Sequence, residues 1–101
     1  VMTRVAMLAV PDGLDLPLTG GDIDPCGNTL LLRSYSTLYQ FVLPANATSF
    51  DAIFTAPFTR VPVSPFPGGE AQGEAVCWRP GGGYYTASEG QAQQLHFVGC
   101  L

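Results

Sequence analysis

Asp22-Ile23-Asp24-Pro25-Cys26-Gly27-Asn28-Thr29-Leu30-Leu31-Leu32 joins a polar start, a proline–glycine turn and an apolar run. The same order returns in Val76-Cys77-Trp78-Arg79-Pro80-Gly81-Gly82-Gly83-Tyr84-Tyr85-Thr86. Gly21-Asp22-Ile23-Asp24-Pro25 is likewise echoed by Gly73-Glu74-Ala75-Val76-Cys77-Trp78-Arg79-Pro80, and Thr3-Arg4-Val5 by Thr59-Arg60-Val61. Pro25 to Pro80 and Thr3 to Thr59 set a spacing of about 55 residues. A period of that length belongs to arrays of stacked supersecondary units. Two units follow: residues 1–58, a first repeat with an entering strand, and residues 59–101, a second repeat.

Each unit reads as strands. Nine prolines and twelve glycines interrupt the chain so often that few windows hold three helical turns. The longest stretch free of both, Asn28 to Leu43, contains Ser34, Ser36 and Thr37 between apolar runs, which predicts two strands with a tight turn near Ser36. Leu38, Gln40 and Val42 alternate with Tyr39, Phe41 and Leu43, so both faces are largely apolar, as in a strand between packed layers. Further strands are expected at Val5 to Val10, Phe50 to Thr55, Ala71 to Trp78, Tyr84 to Ser88 and Gln94 to Val98. Asp24-Pro25-Cys26-Gly27-Asn28 and Arg79-Pro80-Gly81-Gly82-Gly83 carry turn chemistry: a fixed φ at proline, positive φ open to glycine and asparagine. The fold class is all-β.

Composition narrows the function. The chain has 101 residues, enough for one domain, with 47% apolar and only 12% charged residues. Lysine is absent, and the four cations are Arg4, Arg33, Arg60 and Arg79. A net charge of −4 argues against nucleic acid, which asks for a basic stripe, and against an anionic membrane surface. The apolar run Val5 to Val10 falls far short of the ~20 residues of a membrane span. Val1 in place of a methionine fits a processed or partial chain.

The charge-poor, lysine-free texture points to an exported protein, where a disulfide is permitted. Cys26, Cys77 and Cys100 match no metal or redox spacing, and both Cys77–Cys100 and Cys26–Cys100 pairings are open. Asn46-Ala47-Thr48 matches the N-glycosylation pattern.

The two proline–glycine segments resemble the blade signature of bacterial β-propellers of the WD-like and TolB-like kind. Gln72-Gly73-Glu74-Ala75-Val76 and Tyr85-Thr86-Ala87-Ser88-Glu89-Gly90 are similar to segments of secreted esterase-like and phytase-like propellers. The resemblance implies about two blades, each with an inner strand leading into the turn. The aspartate usual between proline and glycine is Cys26 in one copy and Gly81 in the other. Two blades cannot close a ring of 4–8, so such a chain would belong to a longer protein or assemble with further copies. The other architecture open to this sequence is a small β-sandwich of about seven strands.

Catalytic motifs are missing. The single histidine, His96, lies in a strand-like context, and no Gly-x-Ser-x-Gly elbow or phosphate loop occurs. Asp22 and Glu74 fall at matching positions of the repeat, and the resemblance would aim both into a central channel. Asp24 would add an oxygen and Glu89 would lie near the opening, a donor set suited to calcium. Trp78, Tyr84 and Tyr85, beside a glycine-rich turn, would form an aromatic binding platform. The leading expectation is a non-catalytic exported propeller module that binds a protein partner or further copies. Its rivals are part of a calcium-dependent phytase-like or esterase-like hydrolase, and a structural subunit that associates through sheet edges.

Overall fold

The structure, a computed structural model, describes residues 1–8, 17–63 and 72–99. Among them are seven strands in two antiparallel sheets. The first sheet is a meander of β1 (Gly20–Ile23), β2 (Thr29–Arg33), β3 (Leu38–Val42) and β4 (Phe58–Val61), paired in chain order. The second is a meander of β5 (Gly73–Trp78), β6 (Tyr84–Ser88) and β7 (Leu95–Val98). The all-β class is as the sequence predicts. β4 belongs to the first sheet, which therefore runs past the division drawn at residue 58.

Turn chemistry fixes the two equivalent hairpins. In the first, Gly27 N–H donates to Asp24 O and Asp24 N–H to Thr29 O; in the second, Gly82 N–H donates to Arg79 O and Arg79 N–H to Gly83 O. Gly27, Gly81 and Gly82 all adopt positive φ, at 76°, 89° and 111°, which glycine reaches without a Cβ clash. Ile23 opposite Leu30 in the first hairpin thus corresponds to Trp78 opposite Tyr84 in the second. The β2–β3 turn closes with Ser34 N–H donating to Thr37 O, as expected near Ser36.

The first sheet is apolar on both faces because its strands sit between two layers. On one face Leu30, Tyr39 and Phe41 pack with Ile53, flanked by Phe50, Phe54 and Phe58. On the other, Leu31 and Leu38 pack against Val76 and Tyr84 of the second sheet. Pairing follows the alternation: Leu30 opposite Phe41, Leu31 opposite Gln40, Arg33 opposite Leu38.

Phe50–Thr55 is a 3-10 helix, not the strand its alternation of Phe50, Ala52 and Phe54 predicts. Ser49 caps it, its hydroxyl accepting from Asp51 N–H at 3.1 Å, a local bond that competes with any ladder. Ile53 is fully buried on the sheet, and Phe50 and Phe54 meet edge to face. The strand expected at Val5 to Val10 is likewise not found over residues 5–8, which carry no ladder; residues 9 and 10 lie outside the described set. Asn46 is exposed in a turn.

The sheets meet along β1 and β5. Thr19 Oγ1 donates to Gly73 O at 2.6 Å, and Trp78 N–H donates to Asp22 Oδ2 at 2.8 Å. Residue numbers rise together along this seam, so β1 and β5 run parallel, side by side. Arg33, fully buried, threads it: Nε donates to Ser34 O at 3.2 Å and Nη1 to Ala75 O at 3.1 Å. The guanidinium lies where a Cβ on residue 73 would stand, so this close approach needs glycine there. β5 also packs on β2, while β4 and β7 lie at the far ends of their sheets.

Candidate functional site

Away from the seam the two sheets part, and a cleft of about 590 Å³ opens between them. One wall is Gln40 of β3 with Val61, Pro62 and Val63; the other is Trp78, Tyr84 and Val98, with Phe97 at the edge strand. The site is mostly apolar with few polar groups, the composition that suits a ligand's apolar surface.

Two of the expected platform residues come together in it. Trp78 and Tyr84 meet edge to face, their rings 6.0 Å apart at 85°. Tyr84 Oη donates to Pro62 O at 2.6 Å, which ties the second sheet to the chain leaving β4. Burial pushes the Tyr84 phenol up to about 12, so it remains a donor at neutral pH. Trp78 Nε1 is buried with no hydrogen-bond partner among the described residues, and a buried unsatisfied donor is costly. Tyr85 lies on the opposite face of β6, against Phe97 at 5.5 Å, with Arg79 4.9 Å over the Phe97 ring. The triad is therefore split by the strand alternation. The cleft residues on the first sheet carry no distinctive sequence pattern; only the two sheets' packing gathers them.

The carboxylates expected to hold calcium have other work. Asp22 accepts from Ile23 N–H through Oδ1 at 3.0 Å and from Trp78 N–H through Oδ2. Asp24 Oδ1 accepts from Asn28 and Thr29 N–H, at 2.9 and 3.3 Å, and so closes the hairpin turn. Glu74 instead sits beside Glu89; loss of water and then the Glu89 carboxyl raise it above the usual carboxylate range. Hairpin equivalence places Asp22 against Cys77, not against Glu74, as the repeat alone suggested. No group of three histidine, cysteine or carboxylate side chains able to hold a metal occurs among the described residues. Two carboxylates engaged by backbone amides, with Glu74 set beside Glu89, do not make a 6–8-oxygen calcium cage.

Cys26 and Cys77 are exposed free thiols, and Cys100, the partner in either expected disulfide, lies outside the described residues. His96 is half-buried on β7. No helix among the described residues is long and apolar enough to cross a membrane. No family model, curated protein or solved structure matches the chain. What defines the chain is thus its architecture: two consecutive antiparallel meanders joined along parallel first strands.

Proposed function

We propose that this chain is a non-catalytic β-propeller module, two neighbouring blades, that works in binding or assembly in an exported setting. The supporting observation is the seam. Two meanders of the same order lie with their first strands parallel and adjacent, and their last strands apart. Neighbouring blades around a channel have this relation, whereas sandwich sheets commonly exchange strands through Greek-key connections. The binding role falls to the cleft, where Trp78 and Tyr84 supply aromatic wall and Val61, Val63 and Val98 supply aliphatic wall.

Trp78 is the only tryptophan, so it reports on the cleft directly. A short apolar peptide bearing a dansyl group should give saturable energy transfer from Trp78. Val63→Asp, which puts a charge in the wall, should weaken it about tenfold, roughly 1.4 kcal/mol. Glu74→Gln, remote from the cleft, should leave it unchanged. Absence of saturable transfer would remove the cleft from consideration. Millimolar calcium should leave the Tm unchanged; a rise would favour the metal-dependent hydrolase instead.

A further inference from the structure

Among the described residues, β7 is the last strand of a three-stranded sheet, where its counterpart β3 is covered by a fourth strand, β4. β4 contains Thr59-Arg60-Val61, and the chain holds that tripeptide once more, as Thr3-Arg4-Val5. Residues 1–8 are without strand pairing and largely exposed, with Val5 57% and Met7 78% accessible. Leu95 on β7 is 68% accessible and Phe97 49%, high values for large apolar side chains of a sheet. An open edge beside an apolar face is a template for a further strand. Here the sequence of that strand is already in the chain.

We propose that residues 2–5 of one copy add as the fourth strand to β7 of a second copy. The inference rests on the equivalence of the two sheets as blades. The hairpins give the register. Ile23 and Leu30 correspond to Trp78 and Tyr84, so Phe41 corresponds to Val98, Gln40 to Phe97 and Leu38 to Leu95. β4 places Phe58 opposite Phe41, Thr59 opposite Gln40, Arg60 opposite Tyr39 and Val61 opposite Leu38. Transferred to β7, this puts Met2 opposite Val98, Thr3 opposite Phe97, Arg4 opposite His96 and Val5 opposite Leu95. Val5 then covers Leu95 on the outer face, as Val61 lies beside Leu38.

Met2 takes the place of Phe58 and comes to the cleft side of β7, beside Val98. In the first sheet Phe58 packs on Tyr39 at 5.1 Å and Phe41 at 6.0 Å, so this position carries core weight. A strand there would also narrow the cleft beside Val98. One segment therefore satisfies three features: the open edge, the exposed Leu95 and the open side of the cleft. It is assigned to a second copy because in its own chain the segment is exposed and pairs with no strand.

The test uses the full chain and Val5→Pro, which removes one ladder donor from a segment outside both cores. Light scattering and hydrogen exchange are followed over a roughly hundredfold range of concentration. The proposal expects association with rising concentration, slower exchange at β7 in the associated form, and at least about tenfold weaker association in Val5→Pro. Val5→Ala, which keeps the amide, should associate nearly as the parent does. If Val5→Pro associates as tightly as the parent, the strand exchange is wrong while the module reading stands. Protection of β7 that is independent of concentration would mean the segment folds onto its own chain, and would overturn exchange between copies. A strict monomer with fast exchange at β7 would overturn both.

Discussion

Arg33 shows how far single residues set this structure. A fully buried cation needs acceptors on every side, and the carbonyls of Ser34 and Ala75 supply two of them from opposite sheets. Its planar fork leaves no room for a side chain at residue 73, so Gly73→Ala should cost about 1–3 kcal/mol by overpacking, read as a lower denaturation midpoint. A variant as stable as the parent would show that the seam yields easily. Tyr84 makes a second prediction at this scale. Burial pushes its phenol up from 10.0 to about 12 in the folded chain. A raised folded value means the unfolded chain loses its proton first, so the stabilisation is present below pH 10 and fades as pH rises through about 12. Thermal melts of Tyr84→Phe should lack that part of the alkaline decline. Arg33 does not announce itself in the sequence: it reads as an ordinary strand-end charge, and only its burial across the seam reveals its role.

Among the elements, the hairpins were the most legible and the 3-10 helix the least. Proline, glycine and the capping Asp24 dictate the first turn locally, so its flanking strands follow from residues a few positions apart. Phe50 to Thr55 misled because Phe50, Ala52 and Phe54 satisfy a period of two, while the deciding events are the Ser49 cap and the burial of Ile53. Ile53→Ala should therefore cost about 2–5 kcal/mol, like other fully buried isoleucines, whereas a surface substitution at Asp51 should move the midpoint little. Equal effects of the two in chemical denaturation would contradict the anchoring role of Ile53. Trp78, Tyr84 and Tyr85 are partly legible in the same sense. Their sequence proximity marks an aromatic cluster, but the pleat sends Tyr85 to the other face.

At the scale of the molecule, what the sequence carries is the order of the strands, not the way the sheets meet. The repeat spacing and the turn signals give two meanders; the parallel seam depends on Gly73, Arg33 and Asp22 acting across the two units. The same long-range packing removes Asp22 from the role its place in the repeat suggested and spends it on the Trp78 amide. We propose that these two sheets are neighbouring blades awaiting others. It is tested most directly by the native mass from light scattering at two concentrations. Rings of about 4–8 blades predict a discrete assembly of roughly two to four copies. A well-folded monomer of 10.7 kDa at both concentrations would contradict it and leave a self-sufficient pair of packed sheets.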